Sequence, residues 1–272
     1  LRLGEEVVVV PSEDDRRSDG GRRALRVDRL GEHLHFAHTE HVNWVVYAGP
    51  DGVTLVDSGY AGQRELLVAS LAEAGCRPED VAAVLLTHGH ADHLGGAAWL
   101  AAEFGTPVHA ALAEVPNVRR DVVEQAGPGD VLPNVWRRGV VAWSTAIMPL
   151  LRGGAKLGVP SATPLPLDGD HVAVPGRPRA LSVGGHTSGH TAFDFEAEEV
   201  LVAGDALVTR HRTSPIAGPQ LLPSMFHHDR EEARASLEML RTSTARVLLP
   251  GHGEAWIGPV DAAVDLALAN GA

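Results

Sequence analysis

Three histidines and an aspartate crowd the segment Thr87-His88-Gly89-His90-Ala91-Asp92-His93, directly after the apolar run Val81–Leu86. Imidazoles and a carboxylate at the end of a buried strand need a partner to offset their desolvation, and a divalent cation accepts N and O donors at about 2.0–2.2 Å. A polar histidine-rich turn without a ligand is the plain alternative, but it leaves unexplained why every one of these side chains sits where a strand hands over to a loop. We therefore read His88, His90, Asp92 and His93 as metal ligands. Cys76 is the chain's sole cysteine, so thiolate-based metal sites and intrachain disulfides are both excluded.

Further donors recur downstream on the same device, a strand that ends in a glycine-rich turn. His186 lies in Gly184-Gly185-His186-Thr187-Ser188-Gly189-His190 and is the third candidate ligand of a first metal. His190 enters the next strand, so a buried supporting role fits it better. Asp205 follows Val200-Leu201-Val202-Ala203-Gly204, where a carboxylate could bridge two cations or simply cap a turn. His252, between Gly251 and Gly253, repeats the arrangement a fourth time.

The elements that must position these residues are strands and helices in alternation. Short β-rich runs are expected at His33–Ala37, Asn43–Ala48 and Val53–Asp57, followed by a helix over Gly62–Gly75 and a strand over Val81–Leu86 buried on both faces. A helix from Gly95 to Phe104 and a strand from Thr106 to Ala110 continue the rhythm. Proline-interrupted, Trp-containing sequence over about 112–160 reads as an inserted helical cap. Strands resume at His171–Val174, Arg179–Val183, Thr191–Glu196 and Glu199–Ala203; then come a helix, Arg230–Arg241, a strand, Val247–Leu249, and a closing helix, Pro259–Asn270. Residues 11–29 are too poor in apolar positions for a core element and read as a solvated loop. Both halves end strands in Gly/His/Asp turns, which places those turns on one edge of a two-sheet α/β core formed by a single domain over 1–272.

With these motifs in order, the sequence resembles the metallo-β-lactamase-fold hydrolases, and among them the glyoxalase II and lactonase-like branch. The resemblance covers nearly the whole chain and implies a four-layer αββα sandwich. It implies that His88, His90 and His186 hold one metal, that Asp92, His93 and His252 hold a second, and that Asp205 bridges them. Leu55-Val56-Asp57-Ser58-Gly59 matches a family motif whose aspartate supports the metal loop from behind. Two cations about 3.5–4 Å apart share a water whose pKa falls towards 7, and the resulting hydroxide attacks a carbonyl drawn onto one metal. Asp92, beside that water, then passes a proton to the leaving group. Histidine and carboxylate ligands suit zinc, with iron and manganese also compatible.

Departures from the family's branches narrow the substrate. Asp205 stands where β-lactamases of the family usually carry cysteine or serine, which disfavours β-lactams. The Gly185–His190 run is similar to that of glyoxalase II thioesterases, yet their Gly-Cys-Gly-Arg segment is missing. Val208 occupies the place of the tyrosine common in quorum-quenching lactonases. An ester, thioester or lactone with a hydrophobic acyl part is the expected substrate, with the apolar residues of the Trp136–Leu157 segment, Trp143 among them, as a candidate wall over the metals. A mononuclear iron enzyme of the persulfide-dioxygenase kind is the alternative. Arg210, His211, Arg212, His227 and His228, after the Asp205 turn, could meet a substrate carboxylate or phosphate but are read as a solvated loop.

The charge balance, 23 basic against 35 acidic residues for a net −12, gives no footprint for nucleic acid. No apolar stretch reaches the roughly 20 residues that a membrane span needs, and Leu1–Arg29 has no apolar signal core. A cytoplasmic location is the expectation.

Overall fold

The computed structural model describes residues 25–151 and 157–270. Two sheets face each other. The first contains β1 (Arg26–Leu30), β2 (Leu34–His38), β3 (Asn43–Gly49), β4 (Gly52–Val56), β5 (Val81–Leu85), β6 (Val108–Ala110) and β7 (Thr163–Pro164), in that spatial order. Its first four strands form an antiparallel meander, and β4 through β7 are parallel. Parallel neighbours need crossovers, which here are helices α1 (Arg64–Glu73) and α2 (Ala91–Phe104) and the inserted segment after β6. The second sheet contains β8 (Leu167–Asp168), β9 (His171–Val172), β10 (Arg179–Ser182), β11 (Thr191–Phe195) and β12 (Val200–Gly204), antiparallel in sequence. Beyond a small hairpin of β13 (Val208–Arg210) and β14 (Ala217–Gln220), it is completed by β15 (Val247–Pro250), parallel to β12, and β16 (Trp256–Ile257).

Strand alternation builds the layers. On β3, Trp44 and Val46 face outward and pack with Leu67, Leu71, Leu94 and Leu100 of α1 and α2, whereas Val45 and Tyr47 face inward towards Phe193, Phe195, Val202 and Leu249 of the other sheet. Beyond the second sheet, Leu181, Leu201 and Leu248 receive Leu237 and Leu240 of α6 (Arg230–Leu240) and Val264 of α7 (Val260–Asn270). The result is the four-layer αββα sandwich expected from the sequence. Between β6 and β7 lies the inserted helical segment, with α3 (Val115–Arg119), α4 (Pro128–Val131) and α5 (Val140–Ile147). No described helix is long and apolar enough to cross a membrane.

Two expectations need correction and a third holds with one exception. Of the loop read over residues 11–29, residues 11–24 lie outside the described residues, but Arg26–Leu30 is an edge strand paired with β2. Its composition misleads because Arg26 and Asp28 pair with each other at 2.9 Å along a largely half-exposed strand, and Leu30 alone is buried. The strand Val81–Leu85 is buried on both faces except at Ala82, which is exposed: Val84 packs into the helix layer and Leu85 between the sheets. Helix α2 begins at Ala91 rather than Gly95, so Asp92 and His93 belong to its first turn, with His90 as the N-cap. Gly95 sits one turn further on because a β-carbon there would lie 2.1 Å from the Ala61 nitrogen; its N–H instead donates to Gly59 O at 2.9 Å, pressing the helix against the 59–61 loop.

Phe193 sits between the two sheets with no exposure, so Phe193→Ala should cost about 3–5 kcal/mol in urea unfolding. A loss below about 1 kcal/mol would mean that the sheet interface re-packs around the void.

Candidate metal centre

The turns that follow β5, β12 and β15, the one between β10 and β11, and the first turn of α2 converge on one edge of the sandwich. All the ligands named from sequence meet there. His88, His90 and His186 form one group, Asp92, His93 and His252 a second, and His88, His93 and Asp205 a third between them, each with its donor atoms within 4.8 Å of one another. His88, His93 and His186 are buried, as is Asp205.

Hydrogen bonds behind four of the rings decide which nitrogen each presents. Asp57, held at φ 61° at the end of β4, accepts from the Thr87 N–H and hydroxyl at 2.8 Å each, and from His93 Nδ1 at 2.8 Å. Because the single Thr87 hydroxyl proton goes to Asp57, its oxygen accepts from His88 Nδ1 at 2.9 Å. His88 and His93 thereby both turn Nε2 towards the centre. In His252, Nδ1 donates to the His41 carbonyl at 2.5 Å, which likewise turns Nε2 towards the centre. His90 is reversed: Nε2 donates to the Glu124 carbonyl at 2.6 Å, and Nδ1 faces His186 Nε2 at 3.1 Å.

Four imidazole Nε2 atoms surround Asp205. His252 Nε2 lies 3.1 Å from its carboxylate, His186 Nε2 3.5 Å, His93 Nε2 3.6 Å and His88 Nε2 4.0 Å. Burial opposes charge on Asp205, yet His252 and His93 hold its carboxyl well below the usual carboxylate range. Burial likewise opposes charge on His93, but Asp57, Asp205 and Asp92 outweigh it and raise the ring well above its ordinary value. His88 and His186 are pushed well below theirs, chiefly by burial and then by neighbouring imidazoles. Buried His88 Nε2, His93 Nε2 and Asp205 Oδ1 have no hydrogen-bond partner, a costly state for protein alone. Gly251 keeps the cradle open, since a β-carbon there would lie 2.1 Å from Asp205 Oδ1. This donor set of imidazole nitrogens and carboxylate oxygens fits a divalent metal site.

Several supporting residues escaped the sequence reading. Glu114, fully buried at the start of the inserted segment, accepts from Gly89 N at 2.8 Å, Asn117 Nδ2 at 2.7 Å, Thr187 Oγ1 at 2.8 Å and Gly189 N at 2.9 Å. It ties the His88–His90 turn to the His186 turn. Glu124 adds a second tie, taking Ser188 N at 2.7 Å on its carboxylate while its carbonyl orients His90. Tyr60, buried under α5, hydrogen-bonds Asp92; burial and the charges of Asp92 and Asp205 raise its hydroxyl well above the usual value. His190 has the supporting role expected of it: its Nε2 accepts the Asp205 N–H at 3.0 Å, and burial takes the ring down to about 3.

One wall of the centre is aromatic. Trp143 of α5 lies 5.2 Å from Phe226 and 5.9 Å from His211, centroid to centroid, and His211 packs edge-on against His252 at 5.1 Å. His211 is therefore not part of a solvated loop, because the ring is clamped on several sides; Arg212 beside it is exposed and pairs with Glu40. Of the apolar segment expected over the metals, Trp136 is 79% exposed and Met148 67% exposed, so Trp143 is the residue that reaches the centre, while residues 152–156 lie outside the described residues.

Glu114→Gln would set an amide NH2 against groups that are all donors. Zinc affinity, measured by titration against a competing chelator, should fall about 10–100-fold although no ligand has been removed. An affinity within about twofold of wild type would remove Glu114 from the support of the centre.

Comparison with known proteins places the fold and this centre in context. The family model described as "Metallo-beta-lactamase superfamily" matches residues 39–252. The chain is 27% identical over 214 residues to "Probable metallo-hydrolase YflN" of Bacillus subtilis (strain 168), covering 75% of this chain and 76% of that protein. Among solved structures, the metallo-beta-lactamase family protein TTHA1429 from Thermus thermophilus superposes with a TM-score of 0.56 at 29% identity, over 84% of this chain and 73% of that one. The MIM-2 metallo-beta-lactamase shares the fold at a TM-score of 0.61 and 21% identity, over 90% and 86% of the two chains. With the family match running from β3 through β15 and including every turn that carries a candidate ligand, this chain belongs to the metallo-beta-lactamase superfamily.

Proposed function

We propose that the protein is a hydrolase that uses two divalent cations to open an ester, thioester or lactone carbonyl, with zinc the ion its donors suit best and iron or manganese next. The observation that supports this most directly is the convergence of the Nε2 atoms of His88, His93, His186 and His252 on the single buried carboxylate of Asp205. His88, His90 and His186 would hold one ion and Asp92, His93 and His252 the other, with the Asp205 carboxylate available to both. Bound there, such ions supply Lewis acidity, polarising a carbonyl and lowering the pKa of water.

The chain's own groups do the rest. Asp57 fixes the proton on His93 Nδ1 and, through Thr87, the proton on His88 Nδ1, so neither ring can turn its donor edge inward. Asp92 has an oxygen 3.5 Å from His252 Nε2 and a side chain 15% exposed, which lets it take a proton from water and return it to the leaving group. Trp143 and Phe226 exclude water from one side and offer an apolar surface to an acyl chain. The acidic chain favours a small-molecule substrate over nucleic acid.

Protein stripped with a strong chelator should lose hydrolysis of p-nitrophenyl butyrate and regain it with about two zinc ions per chain. Asp205→Ala should lower metal content and rate together. Full activity in metal-free protein would overturn the mechanism, and about one iron per chain with persulfide consumption would move the case to the oxidoreductase alternative. Trp143→Ala should shift the preference between acetyl and longer acyl esters by about tenfold, roughly the worth of one or two buried methylenes, with metal content unchanged. An unchanged acyl-length profile would return Trp143 to packing alone.

A further inference from the structure

His211 is a buried imidazole at the rim of the centre that neither ion-binding group uses. Its ring packs against Trp143, Phe226 and His252 at 5.9, 5.2 and 5.1 Å. The edge that carries Nδ1 is turned away, towards the turn just after it. There the Thr213 backbone N–H, which can only donate, reaches Nδ1 at 3.3 Å, and the Thr213 hydroxyl lies 2.7 Å from the same atom. A proton on Nδ1 would leave that N–H without its acceptor, so the ring carries its proton on Nε2. Nδ1 and Nε2 leave an imidazole in nearly opposite directions, so Nε2–H points away from Thr213. It has no partner among the described residues and is not sealed from solvent. Tyr60, the other uncharged donor nearby, is already committed to Asp92.

We infer that His211 is the substrate-binding donor of this site: its Nε2–H, set by Thr213 on a ring packed against Trp143 and Phe226, holds the carbonyl oxygen of a bound acyl group and the negative charge that grows there. This rests on the hydrolase reading above. A donor already in place when charge develops needs no reorganisation, and in a site shielded by aromatic rings its bond is stronger than in water. The same residues explain selectivity, since an acyl chain whose oxygen meets His211 runs along Trp143 and Phe226.

The test has three arms, two of which need no turnover. In metal-free protein, 15N NMR of the imidazoles, with His211 assigned by its loss in His211→Phe, should find the proton on Nε2. Zinc-loaded His211→Phe, which keeps a flat ring but no donor, should bind butyrate about tenfold more weakly at unchanged zinc content. His211→Gln, whose amide NH2 reaches the Nε2 position, should restore most of that affinity. Towards p-nitrophenyl butyrate, kcat of His211→Phe should fall about 10²-fold with little change in KM. A proton on Nδ1, no butyrate binding by the wild type, or wild-type butyrate affinity in His211→Phe would each overturn the assignment. If zinc-loaded wild type turns over none of the esters, the hydrolase reading fails while the tautomer and butyrate arms still decide on His211.

Discussion

The centre depends on where a few protons sit. An imidazole can serve as a ligand through one nitrogen only if the other is occupied, and a buried ring with both edges free would be costly and would flip. Here four of the five rings have a fixed partner behind them: Thr87 for His88, Asp57 for His93, the Glu124 carbonyl for His90 and the His41 carbonyl for His252. Asp57 does the most, because one carboxylate fixes two rings, His93 directly and His88 through the Thr87 hydroxyl. The whole sandwich can be seen as the scaffold that brings these back-supports to one edge.

That scaffold is split between the halves of the chain. The first sheet contributes Asp57 and Thr87 from adjacent parallel strands, β4 and β5. From the second come the turns of His186, Asp205 and His252, with Gly251 N donating to Gly204 O at 2.8 Å to lock the last two together. Asn43 ties the halves directly, its backbone N–H reaching Gly251 O at 2.8 Å and its side chain reaching Pro250 O at 3.0 Å. The inter-sheet core of Phe36, Val45, Phe193 and Leu249 presses the two halves together, so the polar edge is held by apolar packing behind it.

Much of this was legible in sequence for a physical reason. A charged side chain immediately after an apolar run is conspicuous, and five turns of the chain have that form, those of Asp57, His88, His186, Asp205 and His252. What stayed hidden had no local signature. The His41 and Glu124 groups that orient His252 and His90 are backbone carbonyls, which every residue possesses. Glu114 looks like any acidic residue of an exposed helix, and only folding over 73 positions to Thr187 turns it into a buried acceptor. His211 was misread because it follows Arg210 and precedes Arg212, and both neighbours are exposed while the ring between them turns inward. Strand β1 was missed for the converse reason, since an edge strand that buries one residue keeps the composition of a loop.

Glu114 and Glu124 lie on the same inserted segment as Trp143. The stretch of chain proposed to face the substrate thus also sets how two of the histidine turns are held. Grafting a different insert onto this sandwich would therefore disturb the support of the metal centre along with the proposed substrate wall, unless Gly89, Thr187 and Gly189 found new acceptors first. Recombination between relatives is constrained at this point of the chain, whereas single substitutions on the Trp143 face of the insert are not.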